Sequence, residues 1–145
     1  MSLLRRIMIG SRSSGIMLEK SLRFAKSAVA YARLLKEIKE YELASQFIRS
    51  ATSIGANIHE ASHSESRRDF IHKLKLASKE ASEVSFWLRL FSMCEGFPDT
   101  IILEETLHEI QRMLSKSIET ASKNLKMKSE LQKDTPTQRS NSVSH

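Results

Sequence analysis

Apolar residues recur along most of the chain at alternating spacings of three and four, which is the period of one face of an α-helix. The clearest run is Phe70, Leu74, Ala77, Ala81, Val84, Leu88 and Phe91. Comparable runs are Phe24, Ala28, Tyr31, Leu35, Ile38; Ala44, Phe47, Ala51, Ile54, Ile58, Ala61; and Leu103, Leu107, Ile110, Leu114, Ile118, Ala121, Leu125. The pattern predicts four amphipathic helices, near Met17 to Ile38, Tyr41 to Ser62, Ser66 to Glu95 and Asp99 to Ser129.

Short turn-like segments separate these helices. They are KEIKE at 36–40, SHSES at 62–66 and CEGFPDT at 94–100. Ser66 followed by Asp69 is typical of a helix N-cap, and Asp99 after Pro98 is a second candidate cap. Because connections this short join antiparallel neighbours, the sequence predicts an all-α, antiparallel up-down-up-down four-helix bundle.

The chain has room for one domain. We assign the bundle to residues 16–130, a flexible N-terminal extension to 1–15 and a disordered C-terminal tail to 131–145, where apolar periodicity stops. No run of about 18 apolar residues is present, so we expect no membrane span and a cytoplasmic protein. Cys94 is the only cysteine, which excludes an intramolecular disulfide.

The positive net charge of the chain favours binding to polyanions. The formal net charge is +6 and the pI is near 9.6. Two basic stripes lie off the apolar seams: Arg68, Lys75 and Lys79 with His72 on the third helix, and Arg112, Lys116, Lys123 and Lys126 on the fourth. These are the candidate nucleic-acid-binding residues. The alternative is an ordinary solvated surface, partly neutralised by the pairs Asp69–Lys73, Lys79–Glu83 and Glu119–Lys123.

Catalytic and metal-binding patterns are weak. His59 and His63 lie one helical turn apart but flank a loop, and the pairs Glu105–His108 and Glu60–His63 do not supply the several inward glutamates of a diiron bundle. The chain has no phosphate loop, no dinucleotide fingerprint and no glycine-rich nucleophile elbow. We therefore predict no catalytic residues, no metal site, no cofactor and no enzymatic activity.

The segment SATSIGANIHEA, residues 50–61, is rich in small residues that favour a close helix approach. Ser53, Gly55 and Asn57 are the candidate packing or subunit-contact residues, with Asn57 expected to hydrogen-bond across the contact. Further apolar residues exceed what one bundle seam needs: Leu18, Leu22, Ala25 and Val29 on the first helix, and Phe86, Leu90 and Met93 on the third. This excess predicts subunit contacts.

Taken together, the residues and spacing RS..SIGANI.EA....S..DFIHKL....KEA.....WL over residues 49–88 resemble bacterial four-helix-bundle proteins encoded in intervening sequences of 23S ribosomal RNA genes. The resemblance extends roughly from Leu22 to Lys123. It adds Phe70 and Trp87 to the expected packing or subunit-contact residues. It also implies a homopentameric barrel with a basic outer surface.

A related branch of that family comprises the accessory proteins of diversity-generating retroelements, whose basic pentamers bind a reverse transcriptase and its RNA. The resemblance therefore implies a non-enzymatic oligomer that contacts RNA or an RNA/DNA hybrid, either in association with ribosomal RNA or with a reverse transcriptase. The alternative is a protein-interaction scaffold that does not bind nucleic acid. With no RNA-binding aromatic signature in the sequence, any RNA binding is expected to rest on phosphate contacts.

Overall fold

The structure is a computed structural model that describes the backbone of residues 3–134 and side chains from residue 12 to residue 134. Four α-helices cover most of this part of the chain: α1 (Leu3–Glu37), α2 (Tyr41–Ser62), α3 (Arg67–Met93) and α4 (Ile101–Lys133). No strand occurs among residues 3–134, so the all-α class is confirmed. Within the same residues, no helix is long and apolar enough to span a bilayer.

Helix boundaries agree best with the prediction in the middle of the chain. The limits of α2 are those predicted, whereas α1 begins at Leu3 and not near Met17, and α4 ends at Lys133 and not at Ser129. Residues 3–15, expected to be a flexible extension, are thus helical in backbone conformation. Glycine lowers helix stability by about 1 kcal/mol relative to alanine but does not stop a helix as proline does. The tail expected to be disordered is 131–145; its first three residues belong to α4, and residues 135–145 lie outside the described residues.

Side-chain oxygens accept hydrogen bonds from free backbone N–H groups where α3 and α4 begin. The Ser66 hydroxyl oxygen accepts a hydrogen bond from the Asp69 backbone N–H at 3.1 Å, as the sequence predicts. At α4, the Asp99 carboxylate accepts from the Ile101 N–H at 2.9 Å. The N-cap residue of α4 is Thr100, whose side chain makes no capping bond, and not Asp99 as the sequence predicts. Asp99, one residue before the cap, satisfies the free N–H group of Ile101.

The four helices pack in a closed ring around one core. Each helix packs against its neighbour in the chain, and α1 closes the ring against α4; the backbones of the diagonal pairs do not come close within residues 3–134, and these pairs meet only through side chains in the core. The predicted seams are buried with few exceptions. Ile38 is exposed. Phe70, which was expected to be buried, is half-buried, and its neighbour Ile71 is buried in its place. The apolar period thus identified the core-facing side of each helix.

Aromatic rings from three helices meet in the core. The centroids of Tyr31 and Phe47 lie 5.5 Å apart, those of Tyr31 and Phe91 5.8 Å, and those of Phe47 and Phe91 5.6 Å. The Tyr31 hydroxyl donates a hydrogen bond to the Pro98 carbonyl oxygen at 2.9 Å. This cluster joins α1, α2 and α3 and anchors the segment that leads into α4.

Alkaline solution should destabilise the fold through Tyr31. Burial, with a smaller contribution from the nearby Asp99 carboxylate, raises the pKa of Tyr31 from 10.0 to about 12. Because the folded-state pKa is raised, the folded state holds the proton more tightly, and this contribution to stability is complete below pH 10 and is lost as the pH rises toward 12. We expect the free energy of unfolding, measured by urea titration, to fall over this range.

The matched control is Tyr31→Phe, which keeps the ring and removes the titrating hydroxyl. This variant should lose the Tyr31 part of the alkaline dependence, and should be less stable near neutral pH by about 1 kcal/mol because the bond to Pro98 is absent. Identical alkaline profiles for the two proteins would show that Tyr31 ionises as freely in the folded state as in the unfolded chain.

A close approach of α1 and α2 occurs at Gly55. This residue is buried, and a Cβ atom placed on it would lie 3.2 Å from the Ser21 hydroxyl oxygen. Ser21 is itself fully buried, and its hydroxyl donates to the Leu18 carbonyl oxygen at 2.7 Å. The contact predicted for the small-residue segment is therefore present, and it lies inside the bundle between two helices of one chain.

Substitution of Gly55 tests this contact. Gly55→Leu should destabilise the protein by about 1–3 kcal/mol or more, because the added side chain overlaps α1. Gly55→Ala should change stability much less, since Ser21 needs to move by only a few tenths of an ångström and alanine favours the helix. Urea unfolding of both variants at one protein concentration is the measurement. Equal stability of wild type and Gly55→Leu would contradict the close approach.

Candidate nucleic-acid interface

The predicted basic residues of α3 lie on one outward stripe. Arg68, Lys75 and Lys79 are all exposed, with His72 between them at helical spacing. They project outward because the core-facing side of the same turns is occupied by buried residues such as Leu74 and Ala77. None of the three cations forms an ion pair within residues 12–134.

The predicted residues of α4 form a second stripe. Arg112, Lys116, Lys123 and Lys126 are exposed. Lys123 donates a hydrogen bond to the Glu119 carboxylate at 2.7 Å. Of the three intrahelical pairs predicted from the sequence, this one is confirmed. This bond lowers the pKa of the Glu119 carboxyl. The structure thus leaves six of the seven predicted cations without an ion-pair partner in its described part.

The carboxylates that lie between helices form ion pairs with cations outside the two stripes. The interhelical ion pairs are Lys20–Glu109, Lys73–Glu60, Arg49–Glu83 and Arg49–Glu80. Two predicted pairs are therefore wrong: Lys73 bonds to Glu60 of α2 at 2.7 Å and not to Asp69, and Glu83 bonds to Arg49 and not to Lys79. Helix packing determines these partners, because Glu60 and Glu83 each face a cation on the adjacent helix.

The pKa shifts agree with these contacts. The hydrogen bond from Lys73 lowers the pKa of the Glu60 carboxyl, and the same bond raises the pKa of Lys73. Likewise the hydrogen bond from Lys20 lowers the pKa of Glu109. Since all these side chains remain partly exposed to solvent, each pair contributes little to stability and acts mainly to hold its carboxylate.

Arg49 makes interhelical contacts that the sequence analysis does not predict. Its guanidinium bonds to Glu83, and its Nη1 atom lies 3.5 Å from Glu80 Oε2, an atom that makes no hydrogen bond within residues 12–134. The Trp87 indole N–H also points at Glu83 Oε1, at 3.5 Å. The available signal was two glutamates three residues apart at the edge of the α3 seam, opposite an arginine in the small-residue helix.

The predicted contact residues lie in different environments. Ser53 donates to the Arg49 carbonyl oxygen at 2.7 Å, and the Asn57 amide donates to the Ser53 carbonyl oxygen at 2.8 Å. The expected bond from Asn57 across a helix contact is therefore wrong, because its amide bonds one turn back along its own helix. Phe70 and Trp87 are half-buried and pack against the core.

The described part of the chain has no cluster of metal-ligating groups large enough for a closed metal centre. No group of three or more His, Cys, Asp or Glu side chains there is placed to hold a metal ion. Glu105 and His108 instead line an open groove of about 750 Å³ between α3 and α4, together with Arg89 and Arg112. The groove carries mixed charges and adjoins the α4 stripe, with which it shares Arg112.

Comparison with known proteins gives a family match and matches to solved structures. Residues 14–116 match the family described as 23S rRNA-intervening sequence protein. The chain is also similar to a crystal structure from Bacteroides thetaiotaomicron, described as a protein with unknown function from the S23 ribosomal protein family. Identity is 39%, the TM-score is 0.69, and the match covers 74% of this chain and 98% of that one.

No curated protein matches the chain. The family match spans all of α2 and α3 and most of the bundle core, including the Arg49–Glu83 contact and the stripe from Arg68 to Lys79. On this evidence, the chain belongs to the 23S rRNA-intervening sequence protein family.

Proposed function

We propose that this chain is a non-enzymatic, oligomeric accessory protein of the cytoplasm that binds RNA, or an RNA/DNA hybrid, through the exposed basic stripes of α3 and α4. The observation that carries the proposal is the division of its cations into two groups. Lys20, Arg49 and Lys73 are paired with carboxylates between helices. The stripe residues other than Lys123 are unpaired in the described chain and stay available for phosphates.

Phosphate contacts of this kind give affinity without strong sequence preference. Each cation that meets a phosphate releases condensed counterions, so binding should weaken steeply as salt is added. Repetition of the stripes around an oligomer would raise the overall affinity through multivalency. Two partners fit this chemistry and the family resemblance: a ribosomal RNA, or a reverse transcriptase with its RNA template.

The assembly we propose is a ring. Leu22 and Val29 of α1 are 56% and 37% exposed, and Phe86 and Met93 of α3 are 61% and 78% exposed. Since α1 and α3 are diagonal in the bundle, these apolar faces lie on different sides. Joining two different faces is a heterologous contact, and such contacts close into rings when the rotation allows. The number five comes from the family resemblance.

The antiparallel up-down-up-down order is also part of this proposal. It is supported by contacts between opposite ends of neighbouring helices. Arg49, in the first half of α2, pairs with Glu83 in the second half of α3, whereas Glu60, near the end of α2, pairs with Lys73 near the start of α3. The same holds for α1 and α4. Tyr31, near the end of α1, lies beside Pro98 just before α4, whereas Lys20, near the middle of α1, lies beside Glu109 inside α4.

The mass in solution tests the ring. Five copies of the 16.5 kDa chain give about 82 kDa. We expect Met93→Asp and Phe86→Asp to shift the protein toward single copies at micromolar concentration, because a buried, unpaired carboxylate is strongly disfavoured. The control is Ser45→Asp, at an exposed position of α2, a helix that supplies neither of these apolar faces. A wild-type protein that is already monomeric would contradict the ring.

The alternative function is a protein-interaction scaffold that does not bind nucleic acid, and the same exposed apolar residues favour it. Retention of single-stranded RNA by the wild-type protein at low salt separates the two. Salt-sensitive retention supports the RNA-binding function. Assembly without detectable retention supports the scaffold.

A further inference from the structure

Two histidine rings lie together at the C-terminal end of α2. His59 and His63 are one helical turn apart, their ring centroids are 4.8 Å apart, and their planes are inclined by 54°. Both side chains are exposed to solvent. The family match and the proposed function give this pair no role.

Hydrogen bonds orient the second ring. His63 Nδ1 lies 3.1 Å from the His59 backbone carbonyl oxygen and 3.0 Å from the Ser62 hydroxyl oxygen. A carbonyl oxygen only accepts, so the neutral ring carries its proton on Nδ1 and leaves the lone pair of Nε2 free. Ligating histidines typically have this arrangement, with the second ring nitrogen bonded to a backbone carbonyl or carboxylate.

The sequence analysis predicts no metal site at His59 and His63, but from the geometry of the pair we infer that the two rings together bind one borderline divalent transition-metal ion, of the class of Cu²⁺, Ni²⁺ or Zn²⁺. Imidazole suits these metals, whereas Mg²⁺ and Ca²⁺ prefer oxygen ligands. Residues four apart are neighbours on a helix surface, so one ion can be reached by both rings.

Water completes the coordination of this ion. The carboxylate next in sequence, Glu60, is held by Lys73 at 2.7 Å, and no third histidine, cysteine or carboxylate joins the pair in the described residues. The site is therefore an open, two-ligand surface site, unlike the closed structural centres that need three or four protein ligands. Binding links the last turn of α2 to the residue that follows it and stabilises this helix end.

The test uses the full chain without an added histidine tag, titrated with Cu²⁺ and separately with Ni²⁺ in a calorimeter. Cu²⁺ should bind more tightly than Ni²⁺, following the general order of divalent metal affinities, and Mg²⁺ should give no signal. His59→Ala and His63→Ala should each weaken binding by on the order of tenfold to a hundredfold, because only one ligand remains. His72→Ala, which removes an exposed histidine of α3, should leave the affinity unchanged.

Thermal unfolding in the presence of a chelator verifies that each variant is folded. His59→Ala is the safer variant, because the His59 ring makes no hydrogen bond among the described contacts, whereas His63→Ala removes the bonds to His59 and Ser62. The inference is overturned if His59→Ala binds Cu²⁺ as the wild type does, if His72→Ala loses as much affinity, or if the wild type does not bind. None of these results depends on RNA binding.

Discussion

Reversing the charges of Arg68, Lys75 and Lys79 to glutamate should weaken binding to single-stranded RNA by about a hundredfold at ~0.1 M salt. Loss of three phosphate contacts lowers the slope of log affinity against log salt by about two, at roughly 0.7 per contact for a single strand. The bundle should stay folded, because all three side chains are exposed and none forms an ion pair within residues 12–134. Salt titrations of RNA binding measure both quantities.

The matched control reverses Lys26, Arg33 and Lys36, three exposed cations of α1 that also lack ion pairs in the described chain. Because these residues share a helix face with Leu22 and Val29, the RNA affinities of the variants are compared only after their masses in solution are found to equal that of the wild type. Both variants have the same net charge, so any difference between them comes from where the charge lies. Reversal of Lys116, Lys123 and Lys126 on α4 should have a smaller effect than the α3 reversal, since Lys123 is already bonded to Glu119. Equal losses in the α1 and α3 variants would indicate non-specific attraction and remove the support for a defined interface.

Phe47→Ala should produce the largest loss of stability, about 3–5 kcal/mol. The Phe47 side chain is fully buried and contacts Tyr31 of α1 and Phe91 of α3, so truncation leaves a cavity where three helices meet. Because the three helices are also held by other contacts, they can close this cavity only partly. The loss of stability should therefore lie toward the upper end of the range of about 3–5 kcal/mol. In urea, the unfolding midpoint should fall while the dependence on denaturant stays the same.

Tyr41→Ala is the control on the same helix. Tyr41 is 59% exposed, whereas Phe47 is 0% exposed, so a similar aromatic-to-alanine change removes little buried area. Its effect should lie within about 0.5 kcal/mol. Comparable losses for the two variants, measured at one protein concentration, would contradict the assignment of Phe47 to the centre of the core.

Residues within one helix were the most predictable part of the site. The outward position of Arg68, Lys75 and Lys79 follows from the same period that buries Leu74 and Ala77, so their exposure could be predicted without a partner helix. The Ser66 cap and the Glu119–Lys123 pair are also local, since each joins residues three or four apart.

Contacts between helices could not be predicted in the same way. Lys73 had Asp69 one turn away and Glu60 on the adjacent helix, and sequence spacing favours the first, whereas the packing of α2 on α3 selects the second. Arg49 is comparable, because its two carboxylates are more than thirty positions away in the chain. For Asn57, the local bond to Ser53 prevailed over the predicted bond across helices.

The sequence by itself determined the all-α class, the limits of α2, the core-facing side of each helix and the exposure of the basic stripes. These properties depend on the helical period and on capping groups a few residues away, and both are local in the chain. Only the tertiary structure decided which cations are paired and which are free, that Gly55 lies against Ser21, and that the Tyr31 hydroxyl bonds to Pro98. The physical reason is that these contacts depend on the rotation and separation of neighbouring helices, which side-chain packing across the whole core determines.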